Sequence, residues 1–220
     1  YLDWLARAAR LDFGESARFH RPVAALLGER IGNTMLLGAA ALVVALGLGL
    51  PAGVLTGSRP GSAAARPVRA LSLLLIATPP LVTALVLLLA ATESAWFPAG
   101  GLSGSVVRYL PVPALALGLP IAASLERLQS RAIRDALADP SIAAARARGV
   151  SFRRATWVHA LRLSAPPVLG VIGIVIGTVL SGSFVVEIVM SWPGLGGLMY
   201  DALLARDMYL AAGCASAAAL

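Results

Sequence analysis

The stretch IGNTMLLGAAALVVALGLGLPAGVL, residues 31–55, runs for 25 residues without a charge and indicates the class of fold. A helix needs about 20 mostly apolar residues to cross the roughly 30 Å hydrocarbon core of a membrane. Four more apolar segments follow, and we predict further crossings at residues 70–92, 109–125, 163–186 and 208–220. The last holds only 13 residues, so we expect it to be a crossing that the end of the sequence cuts short.

The composition supports a membrane protein and excludes several other classes. Of 220 residues, 58% are hydrophobic and 13% are charged, whereas a soluble domain is typically about 25% charged. This balance argues against a disordered chain, a collagenous one and an ordinary cytosolic enzyme. The single Cys214 excludes an internal disulfide framework, and all 18 basic residues are Arg. Without Lys the chain cannot supply a Walker A loop or a Schiff-base lysine.

The arginines predict how the chain is oriented in the membrane. Residues 56–69 and 126–162 hold eleven Arg against three acidic residues, a net charge of +8. The segments predicted on the other side, residues 1–30, 93–108 and 187–207, have a net charge of −1. The positive-inside rule therefore places the two arginine-rich loops in the cytoplasm.

The first 30 residues read as an extracytoplasmic amphipathic segment, with apolar and charged side chains interspersed. Trp4, Trp96 and Trp192 fall near predicted membrane ends on that side, where we expect them to be interfacial anchors. The chain begins at Tyr1 without Met or a signal peptide. We therefore expect segments to be missing from both ends.

Glycine pairs predict close helix packing. Gly49 with Gly53, and Gly173 with Gly177, are each four apart within predicted spans, a spacing that lets helix backbones approach. A subunit or gate interface is one interpretation. Ordinary packing within the bundle is the one that we favour.

Prolines and a few polar residues mark candidate pathway or gate positions. Pro79 and Pro80 break the second span, and Pro166–Pro167 opens the fourth; each proline removes a backbone donor. Asn33 is one of few polar groups inside a span. Glu187 directly follows one, where it could line a pathway, although a carboxylate facing water at the interface is the interpretation that we favour.

The loop of residues 126–162 is the strongest functional feature of the sequence. We expect residues 130–137 to continue the helix of the preceding span. Asp139 and Pro140 then suit the cap and the first position of a short helix at residues 142–148. Gly149 suits a left-handed stop.

A second short helix is predicted after Gly149. Ser151 would cap residues 152–163, with Trp157 and Leu161 four apart on one face. Two capped helices meeting at a glycine make a compact knob without a catalytic pair. Its evident use is to dock another protein. The alternative, a basic loop that only obeys the positive-inside rule, explains the arginines but not the caps.

The knob resembles the EAA loop of ABC-importer permeases. The resemblance lies in a first string, Ala143-Ala144-Ala145-Arg146-Ala147-Arg148-Gly149, which is followed after nine residues by a second, His159-Ala160-Leu161-Arg162. Two positions depart from the family's pattern: Ala143 stands in place of Glu, and Arg162 in place of Pro. Flanking strings resemble the B subunit of the oligopeptide/dipeptide/nickel type: DFGES at 12–16, ERIGNT at 29–34, GLPAGV at 49–54, VEIVMSWPGLG at 186–196 and ARD at 205–207.

The resemblance implies an all-α, polytopic transmembrane bundle of the type I ABC-importer permease kind. In that family a coupling helix fits a groove of the ATPase subunit, which here implicates Asp139, Ile142, Ala143, Ala144, Ala145, Arg146, Arg148 and Gly149. Family members carry one more helix ahead of Tyr1. The implied partners are a second permease, two ABC ATPases and an extracytoplasmic binding protein, with no nucleic acid involved. The implied location is the bacterial cytoplasmic (inner) membrane, with multiple passes.

We therefore expect a permease subunit of an ATP-driven peptide importer that is not itself an enzyme. The chain would bind no cofactor or metal, and ATP and Mg²⁺ would bind the ATPase partners. Glutathione or nickel chelates remain open as cargo. A non-transport membrane scaffold, which would use the knob to dock a cytoplasmic partner, is the alternative function.

Overall fold

The computed structural model describes residues 12–94 and 106–219, and within them every regular element is a helix apart from one isolated antiparallel bridge, Glu15–Pro22. The all-α prediction is therefore confirmed. In chain order the helices are α1 (Val23–Ser58), α2 (Ala65–Ala77), α3 (Pro80–Ser94), α4 (Val106–Tyr109), α5 (Pro111–Leu137), α6 (Pro140–Ala147), α7 (Phe152–Arg154), a π-helix (Ala155–Ala160), α8 (Leu161–Leu169), α9 (Ile172–Val189), α10 (Leu195–Leu204) and α11 (Met208–Ala219).

Helices α1 and α9 are long and apolar enough to cross a membrane. Helices α2 and α3 make a third candidate if the pair counts as one span, because they are bent by 114° at the break between them. The predicted break at Pro79 and Pro80 is thus present, since α2 ends at Ala77 and α3 begins at Pro80. The predicted span at 109–125 lies in α5, whose second half is charged and continues to Leu137.

The predicted fourth span is interrupted at a different place from the one expected. Pro166 and Pro167 lie inside α8, and the helix ends only at Leu169. Helix α9 then starts at Ile172, so Gly170 and Val171 form the break. The two prolines lack N–H donors for the turn that precedes the break, whereas Gly170 itself keeps helical torsion angles, with φ −60° and ψ −24°.

The chain divides into two compact units. One contains Tyr1–Ala40, Ala84–Ala114 and Leu180–Leu220, and the other contains Ala41–Thr83 and Leu115–Val179. We refer to them as the terminal unit and the central unit. The interior of the terminal unit includes Phe13, Leu27, Leu198, Leu210 and Cys214, which pack in one buried cluster.

In the central unit, glycines bring the second half of α1 against α5. A Cβ added at Gly49 would lie 2.6 Å from the Ala122 carbonyl oxygen, and one at Gly53 would lie 2.5 Å from the Gln129 Cβ. Gly57 continues the row at the next turn. Close packing at Gly49 and Gly53 is confirmed, because no side chain fits in this contact. The second pair, Gly173 and Gly177, differs: nothing lies within 4 Å of a Cβ at either position.

Candidate functional site

The knob, residues 139–162, begins with the predicted cap. Asp139 Oδ1 accepts hydrogen bonds from the Ser141 hydroxyl at 2.5 Å and from the Ser141 amide at 2.8 Å. These two donors lower the pKa of Asp139, with the hydroxyl as the larger cause. Pro140 takes the first helical position, where its lack of an N–H costs nothing. Helix α6 therefore starts where the sequence predicts an N-terminus.

The end of α6 is also fixed by backbone hydrogen bonds. The Gly149 amide donates to the Arg146 carbonyl at 2.9 Å, and the Val150 amide donates to the Ala145 carbonyl at 3.2 Å. This pair of bonds is a Schellman motif, which requires a left-handed residue at Gly149. Its φ is +91°, as the glycine predicts. Both ends of α6 are thus terminated by local signals that the sequence carries.

Helix α6 has an inner and an outer face. Ile142 and Ala145 are buried, and Ile142 shares a cluster with residues from α1, α5 and the π-helix: Val54, Ile133, Ala136, Ala155 and Ala160. This cluster fixes the orientation of α6 within the central unit. The structure therefore separates the predicted coupling residues into two sets, and only one of them is available to a partner.

The outer face of α6 is formed by small and cationic residues, and after the first turn the exposed positions are Ala143, Ala144, Arg146 and Ala147, followed by Arg148 just beyond the helix. The Arg146 guanidinium lies over the Phe152 ring, 5.4 Å from its centroid, and that of Arg59 lies 5.7 Å from the same centroid. Cation–π contacts of this kind hold a cation near an aromatic face. The result is a smooth, positively charged ridge.

The second helix of the knob differs from the prediction. Ser151 accepts a hydrogen bond from the Arg154 amide at 3.4 Å, so its predicted capping role is present. The regular helix that follows stops after Arg154, and a π-helix takes over from Ala155 to Ala160. The wider turn of a π-helix changes which residues share a face. Trp157 is 47% exposed whereas Leu161 packs against the buried cluster that holds Ile142, so the expected common face of Trp157 and Leu161 is wrong.

Polar side chains inside the central unit were missed by the sequence analysis. Glu126 is buried, and its carboxylate accepts a short hydrogen bond from the Thr56 hydroxyl. Gln129 Nε2 donates to Ser164 Oγ at 2.9 Å, also in the interior. A signal was available, because Glu126 directly follows a predicted span just as Glu187 does. These two bonds join α5 to α1 and to α8.

Two predicted gate residues meet in the terminal unit at the Trp192 loop, which we define as residues 190–196. Asn33 Nδ2 donates to the Pro193 carbonyl at 2.9 Å, and the Asn33 carbonyl accepts from Trp192 Nε1 at 3.0 Å. The Gly196 amide donates to Glu187 Oε2 at 2.6 Å. Asn33 and Glu187 therefore both hold this loop.

Two expectations about this region are wrong. Glu187 is fully buried, so it is not a carboxylate that faces water. Trp192 is only 3% exposed, because its ring packs inside and its indole N–H is bonded to Asn33. The long-range bond to Asn33 of α1 holds the Trp192 ring inside, and the bond from the Gly196 amide holds the Glu187 carboxylate inside. Trp4 and Trp96 lie outside the described residues.

Pro79 and Pro80 lie apart from the Trp192 loop in sequence and belong to the central unit, where both are exposed. The Thr78 hydroxyl just before them donates to the Leu74 carbonyl at 2.7 Å, which satisfies an acceptor at the end of α2. Among the residues that the structure describes, no three His, Cys, Asp or Glu side chains are placed to hold a metal ion.

Comparison with known proteins gives consistent matches. Residues 49–220 match the family described as binding-protein-dependent transport system inner membrane component. A Brucella ovis protein provisionally named as a peptide permease is 34% identical over an alignment of 220 positions, gaps included, that covers 94% of this chain and 68% of that protein. The oligopeptide transport system permease protein AppB of Bacillus subtilis is 33% identical over 94% of this chain and 69% of its own length. The corresponding protein OppB of Escherichia coli is 31% identical over 96% and 69%.

Proposed function

The chain belongs to the family of binding-protein-dependent transport system inner membrane components, and from this premise we propose that it is the permease subunit of an ATP-driven peptide importer. The relatives' names support peptides as the cargo, because they describe oligopeptide or peptide permeases. The same names favour import over a non-transport scaffold, and they favour peptides over glutathione or nickel chelates. The proposed location is the bacterial cytoplasmic membrane, which the chain crosses several times.

The observation that carries the proposal is the division of α6 into an anchored face and a free face. Ile142 fastens the helix to α1 and α5, so a force applied to the free face moves the central unit rather than α6 alone. Ala143 and Ala144 let a partner approach closely, and Arg146 and Arg148 supply charge. In this proposal, closure of the ATPase subunits pushes on the free face. The packed helices transmit that push as a rigid-body switch between two states.

Partner subunits would supply what this chain lacks. Because the sequence contains no Lys, ATP and Mg²⁺ would be bound by two ABC-type ATPase subunits, and hydrolysis would occur there. A second, similar permease would complete the pathway, and an extracytoplasmic binding protein would deliver the peptide. This chain would be the non-enzymatic membrane part of that complex.

We also propose how the candidate gate residues act. Asn33 and Glu187 would set the shape of the gate by holding the Trp192 loop, without touching the peptide. The break at Pro79 and Pro80 would let α2 and α3 change their angle, since neither helix continues through it. These roles are assigned from position and bonding.

The docking proposal is tested by site-specific photocrosslinking in the assembled full-length transporter. A photoreactive residue replacing Ala144, on the free face of α6, is expected to crosslink to an ATPase subunit. The matched control replaces Leu204 in α10, which is 66% exposed but lies in the terminal unit. Crosslinks to the ATPase from both positions, or from neither, would contradict the assignment of α6 as the docking helix.

The cargo is tested separately in proteoliposomes that contain the complete transporter and its binding protein. ATP-dependent uptake of labelled di- and oligopeptides is expected. Uptake of a nickel chelate or glutathione in place of peptides would overturn the cargo assignment and leave the docking assignment intact.

A further inference from the structure

A groove of about 270 Å³ in the central unit is lined by an unusual set of side chains. Three arginines come from one face of α5, where Arg127, Arg131 and Arg134 are spaced by four and three residues. Arg69 lines the groove from α2, and Leu73, one turn further along, adds an apolar wall. None of these residues belongs to the knob or to the Trp192 loop.

The positive charge of the groove is largely uncompensated. The one carboxylate in its lining is Glu126, which is 2% exposed and bonded to the Thr56 hydroxyl. Within the described residues, Arg18 and Arg21 form ion pairs with acidic side chains, whereas the four groove arginines form no ion pair. Four guanidinium groups therefore outnumber the single acid by three. Obedience to the positive-inside rule explains a basic side of the membrane, but not the convergence of four arginines on one groove.

Two of the arginines are held in place by neutral acceptors. Arg69 Nη2 donates to the Thr56 carbonyl at 2.8 Å, and Arg134 Nη1 donates to Ser130 Oγ at 3.1 Å. A guanidinium has five N–H donors, so each retains donors for a ligand. Bonds to neutral groups fix position without neutralising charge. This combination suits an anion with several oxygens, because guanidinium groups bind phosphate in a bidentate manner.

The surroundings of the groove indicate where such an anion comes from. One turn beyond Leu73, helix α2 continues the apolar wall with Ile76, and these two side chains are 54% and 42% exposed. Helix α2 is half of a candidate span, which would place this face against lipid chains and Arg69 toward the charged start of the same helix. A phosphate headgroup and its acyl chain match a basic groove that continues into an apolar face.

We propose that this groove binds the headgroup of an anionic phospholipid. The phosphodiester would lie among Arg69, Arg127, Arg131 and Arg134, with an acyl chain along Leu73 and the α2 face. The site is distinct from the proposed docking helix and does not depend on peptide being the cargo. A lipid held there would tie α2 to α5, next to the Thr56–Glu126 bond that also joins α1 to α5.

The experiment is native mass spectrometry of the purified full-length transporter titrated with phosphatidylglycerol or phosphatidylcholine of identical short acyl chains. We expect phosphatidylglycerol to be retained and phosphatidylcholine to be lost. Arg131→Gln should weaken phosphatidylglycerol binding about fivefold, the usual effect of one basic residue near an anionic lipid. Arg66→Gln removes the same charge from an exposed position of α2 outside the groove and should leave binding unchanged.

Three results would overturn the proposal. The first is equal retention of the two lipids, and the second is equal weakening by Arg131→Gln and Arg66→Gln. The third is displacement of phosphatidylglycerol by inorganic phosphate at the same concentration, which would show a site for a soluble anion. Arg131→Lys, which keeps the charge, should retain most of the binding. An unchanged unfolding temperature of Arg131→Gln would show that the loss is not caused by misfolding.

Discussion

The knob and the Trp192 loop are each held in one conformation, but by hydrogen bonds of very different range. In the knob, the terminating bonds join neighbours such as Asp139 with Ser141 and Val150 with Ala145. In the Trp192 loop, three bonds join residues 159 to 161 positions apart, between α1 and residues 192–195, in addition to the shorter-range bond of Gly196 with Glu187. A local arrangement can present a stable surface to a partner, whereas a long-range one holds its whole unit together.

This difference also ranks the expected effects of substitution. Damage to the Trp192 loop should reduce the amount of folded protein, since the loop joins distant segments of the terminal unit. Damage to the outer face of the knob should leave the protein folded and change only its coupling. The substitutions below test that distinction, beginning with the largest expected effect.

Gly196→Val should have the largest effect. A Cβ at Gly196 would lie 2.6 Å from the Phe184 Cα and 2.9 Å from Glu187 Oε2, and a backbone atom cannot rotate away. We expect a loss above about 4 kcal/mol, measured as the failure of the protein to fold in detergent. The adjacent Gly197→Val is the control, because its nearest neighbour is at 3.4 Å. Equal folded yields of the two variants would contradict the account of this loop.

Ile142→Ala tests the anchored face of the knob. The side chain is 2% exposed in the cluster with Val54 and Ile133, so its truncation should cost about 2–4 kcal/mol of local stability. Hydrogen exchange of α6 should increase while exchange in the terminal unit stays unchanged. Val158→Ala, at a position that is 55% exposed, should change neither. Faster exchange throughout the protein would show that the knob is not a local unit.

Trp192→Phe in the Trp192 loop and Trp157→Phe in the knob compare the two regions by the same change of residue type. The substitution at Trp192 keeps a packed ring but removes the hydrogen bond to the Asn33 carbonyl, which should cost about 1 kcal/mol. The matched change Trp157→Phe, in the π-helix of the knob, alters a side chain that is 47% exposed and should be close to neutral. Thermal unfolding in detergent distinguishes them, and a larger decrease for Trp157→Phe would reverse the comparison.

The smallest effect is expected at the cap of α6. Asp139→Ala should lower the unfolding temperature by about 1–3 °C at neutral pH, because the Ser141 amide loses its acceptor. The folded pKa of Asp139 is lowered, so its contribution is complete above the usual carboxyl pKa and is lost as the pH falls through the lowered value. Asp139→Asn should keep the cap without that pH dependence. A wild-type pH dependence that persists in Asp139→Asn would assign it to another group.

Local signals explain what could be predicted from the sequence. Asp139, Pro140, Gly149 and Ser151 act through their own backbone conformation or through near neighbours, so the limits of α6 and the start of the second knob helix could be read directly. The break at Pro79 and Pro80 was predictable for the same reason, since proline acts on its own helix.

The features that could not be predicted depend on tertiary contacts. Glu187 and Trp192 follow an apolar span, a position that usually faces the interface, and only their pairing with Gly196 and Asn33 explains their burial. The six residues ATWVHA carry no residue-type signal for a π-helix, and the structure adds only that Ala155 and Ala160, at its two ends, pack in the buried cluster of the central unit. The sequence indicated Gly49 and Gly53, but not that α5 would be their partner.

We propose that the knob transmits ATPase motion to the membrane helices, and Gly149→Val separates this claim from effects on folding. The positive φ of Gly149 strains any β-branched residue, although a Cβ there would meet nothing within 4 Å. Gly61→Val is the control, because Gly61 is exposed in the α1–α2 loop, also has no neighbour within 4 Å and lacks a positive φ. In reconstituted transporter, Gly149→Val should remain in the membrane and allow ATP hydrolysis while peptide uptake is lost, and Gly61→Val should retain both. Normal uptake by Gly149→Val would contradict the claim.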